Sequence, residues 1–336
     1  MTPKKYVMAL VLLVVSFLLG VAALTAYADP YWLWRESPMW INGQNPVLSR
    51  KMRFSKGLQV VRRQPDVVFV GSSRVQVGID PADLVGVDAY NLGIESLRAF
   101  EMRAYVEHLL NWTDTEHIVI GLDFLAFLDR NPPYMEGFDH DLGNYKFLLS
   151  GFGTALLSRS AIEDSVSVWE RSLLPGGEWS RSGYMHIPYR SRQFAEGLAA
   201  YMRDNTYAPP FSETTLTYLE DIIILTEQHD VTLTLFVTPI HDEQFQVIAD
   251  ADKLPAYRTW LEQVIALAET YDVQLWDFTQ NNPYQVSDLS QGSNAYYLDA
   301  SHYSPLVGKM MLQRLGFAVS EDAVLTSEIG VQLSPR

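Results

Sequence analysis

The chain contains no cysteine, which excludes disulfides, cysteine–zinc sites and thiol catalysis together. Basic residues are scarce: 25 lysines and arginines stand against 40 aspartates and glutamates, a formal net charge of −15. So acidic a chain is poorly suited to nucleic acid, because phosphate binding needs clustered Lys and Arg. No internal repeat or low-complexity tract is visible. Charge is also missing from residues 6–28, 23 positions in a row. What the chain has in quantity is apolar side chain, 48% of 336 residues. That is ample for a buried core in one large α/β domain or two small ones, and it excludes disorder as a description of the whole.

The uncharged run is long enough to cross the roughly 30 Å hydrocarbon core as a helix at about 1.5 Å per residue. Lys4 and Lys5 precede it and only Arg35 follows within twenty residues, which favours a cytoplasmic N-terminus with the remainder outside the cytoplasmic membrane. The basic stretch 50–63 opposes that orientation but lies farther from the span than the residues that set topology. The sequence Ala26-Tyr27-Ala28 also fits a signal-peptidase site, so residues 1–28 read as an uncleaved anchor or a cleaved signal. Residues 29–65, with Pro30, Pro38 and Pro46 and the aromatics Tyr31, Trp32, Trp34 and Trp40, read as an irregular juxtamembrane segment. Its aromatics belong either at the lipid interface or in contact with the core.

From residue 66 strands and helices alternate. Apolar runs at 67–70, 87–92, 117–124, 232–237 and 273–278 read as strands. Helices are expected after a Ser96 cap, over 216–229 and 255–271, and from Ser304-Pro305 to Gly316. This alternation predicts an α/β domain over 66–320, a parallel sheet with helices on both faces. Residues 125–213 break the rhythm with Pro132-Pro133, Gly176-Gly177 and Pro209-Pro210, and read as a largely helical insertion above the strand ends. Residues 321–336 read as a C-terminal tail.

Two motifs carry chemistry. Gly71-Ser72-Ser73-Arg74 follows the first strand, and Asp299-Ala300-Ser301-His302 precedes the last helix. A hydroxyl is a poor nucleophile until an imidazole takes its proton, and the imidazole needs a carboxylate to fix its tautomer. Ser73 is therefore the candidate nucleophile, His302 its base and Asp299 the orienting carboxylate. Ser72 is the rival nucleophile, and an ordinary βα turn with a capping serine is the plainer alternative. Gly93 ends the second strand, where its N–H can approach a substrate oxygen. Asp123 ends the third strand beside the same cleft. Ionised, it repels an oxyanion, so it must be protonated, hydrogen-bonded away or engaged with a cation such as Arg74. His241, ending the fourth strand, is either a substrate contact or second base, or a polar loop residue. Gly93, Asp123, Arg74 and His241 are thus the candidate oxyanion and substrate-binding residues. Asp139, His140 and Asp141 match no strong metal-ligand spacing, and neither a metal nor a cofactor is expected.

Gly71-Ser72-Ser73 resembles the first block of the SGNH/GDSL hydrolases, usually Gly-Asp-Ser with the serine third. Gly93 matches the second block's glycine by position, and Asp299-x-x-His302 matches the last block. The resemblance covers about 66–125 and 230–317, and it implies a flavodoxin-like three-layer α/β/α fold with serine esterase or acyl-transfer chemistry. There are two departures. Ser72 replaces the aspartate, as in a membrane-anchored branch resembling proteins of teichoic acid D-alanyl transfer and exopolysaccharide O-acetylation. The third block, Gly-x-Asn-Asp, reads Gly121-Leu122-Asp123-Phe124, so the oxyanion-hole asparagine is replaced. The anchor, Asp29-Pro30-Tyr31 and Pro239-Ile240-His241 also resemble bacterial envelope proteins of this group.

The resulting expectation is an anchored extracytoplasmic esterase or O-acyltransferase. Its substrate is an acyl ester, such as acetyl, on an envelope or exopolysaccharide glycan, and other envelope polysaccharide proteins are its expected partners. The alternative is an inactive module of the same fold binding a glycan or an assembly partner. A periplasmic solute-binding protein shares the α/β pattern but gives no reason for the paired motifs.

Overall fold

Short runs of Val, Ile, Leu and Phe form the sheet in the computed structural model, which describes residues 2–35, 45–171, 179–187, 207–320 and 328–334. Strands β1 (Val67–Gly71), β2 (Ala89–Gly93), β3 (His117–Leu122), β4 (Thr232–Val237) and β5 (Gln274–Asp277) run parallel in the order β2-β1-β3-β4-β5. This is the flavodoxin-like strand order. β6 (Val331–Ser334) joins the β5 edge antiparallel, so part of the expected tail is a strand. Val331-Gln332-Leu333-Ser334 alternates apolar and polar residues, but over too few positions for the pattern to mark a strand.

Residues alternate between the two faces of the sheet, and each face has its own helices. Val68, Val70, Ile118, Ile120 and Leu235 belong to one core. It is covered by α3 (Met52–Arg63), α5 (Ala99–Trp112), α8 (Thr217–Gln228) and α10 (Leu254–Thr270). Val67, Phe69, Val119 and Phe236 face the other core, under α4 (Ser73–Gly78) and α11 (Pro305–Arg314). The strands are buried on both faces, which is why they read as continuous apolar runs. Strand order reverses between β1 and β3, and the crevice this opens at their carboxyl ends is where open α/β sheets bind ligands.

α5 begins at Ala99 rather than at a Ser96 cap: Ser96 turns with positive φ, and the Glu101 carboxylate accepts the Arg98 N–H at 3.1 Å. The segment read as irregular holds two helices, α2 (Pro46–Arg50) and α3, because Asn45 caps α2 through the Val47 N–H and Pro46 occupies its first turn. Tyr31 and Trp32 are buried against the body of the protein, not presented to lipid. The Tyr31 hydroxyl donates to Asp164 at 2.7 Å, and the Arg181 guanidinium lies 4.4 Å over the Trp32 ring. Trp40 and Pro38 lie outside the described residues.

α1 (Pro3–Ala28) is long and apolar enough to cross a membrane, and residues 3–20 are exposed along its length. Within the insertion, α6 (Tyr145–Leu157) and α7 (Arg159–Arg171) pack against α1, and not over the strand ends as expected. Among the described residues of the insertion, 179–187 bond to β2 and α4, and Tyr207 lies beside Arg74 and Thr238 at the strand ends. Gly176 and Gly177 lie outside the described residues.

Candidate active site

At the end of β1 the chain turns directly into α4. Ser72 is the cap, its Oγ accepting the Arg74 N–H at 3.2 Å. Ser73 is the first helical residue, and its N–H has no hydrogen-bond partner among the described residues. The Ser73 hydroxyl lies 2.9 Å from His302 Nε2, although 229 positions separate the two in sequence.

His302 is held by a tight loop. Tyr297 and Tyr303 pair across it, and the Leu298 N–H donates to the His302 carbonyl at 2.8 Å. Asp299 closes the loop, accepting the N–H groups of Ser301 at 2.7 Å and His302 at 3.0 Å. It also accepts His302 Nδ1–H at 2.9 Å on Oδ2. With Nδ1 occupied as donor, the Nε2 lone pair faces the serine. Burial alone pushes the Asp299 carboxyl up, but the neighbouring imidazole and the two backbone donors outweigh it and hold the group below the usual carboxylate value. The His302 side chain is 14% exposed and that of Asp299 is 5%, so the imidazole reaches solvent while the carboxylate does not.

Arg74 ties the two motifs together. Its guanidinium is buried and paired with Asp123, which also accepts from the hydroxyls of Ser72 and Thr238. From the other side Nε and Nη2 donate to Ser301 Oγ at 3.3 and 3.2 Å. Tyr207, brought in by the insertion, lines the same small pocket as Arg74 and accepts from Gln244 Nε2 at 2.8 Å. One cation thus links the ends of β3 and β4 to the histidine loop. Of the three states open to Asp123, the structure has the ion pair. Ser72, engaged by Asp123 and by the helix cap, is not the hydroxyl facing the imidazole.

Two expectations are corrected. The Gly93 N–H does not face the site, because it donates to Asn91 Oδ1 at 2.8 Å. Glycine is required there by close approach of backbone, since an added Cβ lies 2.4 Å from the Gln76 nitrogen in α4. His241 is not free to contact substrate: Nε2 bonds to the Ser287 carbonyl at 2.7 Å and Nδ1 accepts the Glu243 N–H at 3.2 Å. It caps α9 (Asp242–Asp250), and its own N–H donates to the Ala300 carbonyl at 3.1 Å. That bond braces the loop that carries His302.

Two buried polar residues were missed. Asn91 Nδ2 donates to the carbonyls of Val75 at 2.8 Å and Ile79 at 2.6 Å, holding α4, which carries Ser73, against β2. Lys56 Nζ donates to the carbonyls of Asn91, Gly93 and Gly183 at 2.8, 2.6 and 2.7 Å. Burial pushes its ammonium well below the usual lysine range, while three carbonyls match its three N–H bonds. A signal existed for each: Asn91 interrupts an apolar strand, and Lys56 stands between Met52 and Val60 on the buried stripe of α3. Asp139, His140 and Asp141 stand apart from this site, with the His140 ring edge-on to Tyr134.

No family model and no curated protein matches the chain. Among solved structures it is similar to a protein of Bacteroides fragilis provisionally described as an acylhydrolase, with 13% identity over 76% of this chain and 92% of that one. The TM-score is 0.39, too low for the likeness to bear on function.

Proposed function

We propose that this protein is a serine-dependent acyl-ester enzyme, an esterase or O-acyltransferase. The observation that carries the reading is the continuous relay from Ser73 Oγ to His302 Nε2 and from His302 Nδ1 to Asp299. In this mechanism Nε2 takes the hydroxyl proton as Oγ attacks the ester carbonyl, and the Ser73 N–H, at the start of α4, donates to the resulting oxyanion. The imidazolium, steadied by Asp299, returns its proton to the leaving alcohol. Water or a sugar hydroxyl then attacks the acyl-enzyme with His302 again as base, giving hydrolysis or transfer respectively.

The substrate in this reading is an acyl ester, acetyl in the simplest case, on an envelope or exopolysaccharide glycan. α1 anchors the domain on the extracytoplasmic side of the inner membrane. The charge pattern around residues 6–28 and the block resemblance support these finer assignments. A reporter fused after residue 336 that is active only in the cytoplasm would overturn the location. The activity is tested by hydrolysis of p-nitrophenyl acetate and of an O-acetylated polysaccharide by the full chain, compared with Ser73→Ala. Turnover by the parent that the variant lacks is expected. Equal rates refute the assignment.

One observation favours a second reading, an inactive module that binds a glycan or an assembly partner. With the Gly93 N–H engaged by Asn91 and Asp123 in place of a donor, Ser73 N–H is left as the oxyanion donor among the candidates. Each such donor is worth roughly 3–4 kcal/mol in acyl transfer. A parent that binds acetylated glycan but turns over no ester would fit this reading.

A further inference from the structure

We propose that α6 is a second membrane contact, lying in the bilayer interface beside the outer end of α1. The inference rests on α1 being a membrane span. Counted from Tyr6, the first residue after Lys4 and Lys5, about 20 helical residues fill the hydrocarbon core. That count ends at Thr25, which α6 contacts: Thr25 is buried, and its Oγ1 donates to the Leu156 carbonyl at 2.7 Å. Counted from Tyr6, the continuously exposed part of α1 ends at Gly20 and spans only about 22 Å at 1.5 Å per residue, short of the roughly 30 Å core. The bilayer therefore extends to the level of α6 rather than stopping short of it.

The composition of α6 suits that level. Its sequence, YKFLLSGFGTALL, has one charged residue, Lys146, and no acid. Phe147, Gly151 and Ala155 face inward. Tyr145, Leu149, Gly153 and Leu157, four apart, form an outward stripe. Leu149 is 72% exposed and Leu157 47%, wasteful for a helix in water but matched to acyl chains near the headgroups. Trp169 of α7 is exposed as well, a residue type enriched at this depth. The exposed face of α7 also carries Val166, Glu170 and the Arg159–Glu163 pair, and these charges place α7 on the headgroup side of α6.

The absence of cysteine allows a direct test on the full chain. Single replacements Leu149→Cys, Leu157→Cys, Leu13→Cys in α1 and Glu269→Cys on α10, which packs toward the opposite edge of the sheet, are spin-labelled. Each is reconstituted in phosphatidylethanolamine–phosphatidylglycerol vesicles, and collisions with oxygen and with a water-soluble nickel chelate are compared. Labels at 149 and 157 are expected to favour oxygen over nickel as the label at 13 does, and the label at 269 to favour nickel. A label at 149 as open to nickel as that at 269 overturns the contact, whatever 157 shows. Labels at 149 and 157 shielded from both reagents, with spin–spin broadening, assign the stripe to a second copy of the chain and overturn it equally. A label at 13 open to nickel removes the anchor itself, which separates failure of the span from failure of the α6 contact.

Discussion

At the scale of residues, the account turns on side chains that act as a unit. Ser73→Ala and His302→Ala are each expected to lower ester turnover by several orders of magnitude, and the double variant to be little worse, because members of one relay are not additive. Additive losses, measured as kcat/KM, would show that they serve different steps. Asp299→Asn is expected to cost roughly 10⁴-fold in kcat through the wrong imidazole tautomer, with the fold intact. It also changes the response to acid. The Asp299 carboxyl is held below its ordinary value of 3.8, so its stabilising contribution is complete above the unfolded value and is lost as pH falls through the folded one. Denaturant titrations of parent and Asp299→Asn should therefore converge below about pH 4, and a gap that stays constant to pH 2 would contradict the shift. Asp123→Asn leaves the buried Arg74 without its anion, so a loss of about 3–5 kcal/mol is expected with no gain in turnover. A more active, equally stable variant would return Asp123 to the oxyanion site.

At the scale of elements, the relay depends on how closely α4 and α11 pack, since one carries Ser73 and the other follows His302. Gly308 sets this distance: a Cβ there lies 1.7 Å from the Gly78 carbonyl oxygen. Gly308→Ala is expected to destabilise by at least the 1–3 kcal/mol or so typical of overpacking, and to lower kcat more than it raises KM. An unchanged kcat would mean that the helix contact does not position the relay. These contacts explain what could be read in advance. Ser73, Asp299 and His302 announce themselves because each sits in a short motif at a strand or helix end. The parallel strands do so because both their faces are buried. Gly93 and His241 were read as site residues from the same kind of position, and only three-dimensional partners, Asn91 and Ser287, show that their polar groups are already used. Lys56 and Asn91 hold backbone carbonyls from distant segments, which local pattern does not reveal.

For the whole molecule, a long apolar helix, the helices α6 and α7 packed against it and an α/β domain are joined so that the site lies at the carboxyl ends of the strands. The long apolar helix was legible because 23 positions in a row carry no charge and form one helix long enough to cross a membrane. The packing of α6 and α7 against it was not, because Pro and Gly in the insertion mark its breaks but not its neighbours. The central claim is that Ser73 is a nucleophile activated by His302, and a fluorophosphonate probe tests it most directly. The full chain is labelled at neutral pH, digested, and the adduct is located by mass spectrometry. One adduct on Ser73, absent in Ser73→Ala and strongly slowed in His302→Ala, is the expected result. No adduct, an adduct on Ser72, or labelling of Ser73 that ignores the loss of His302 would contradict it.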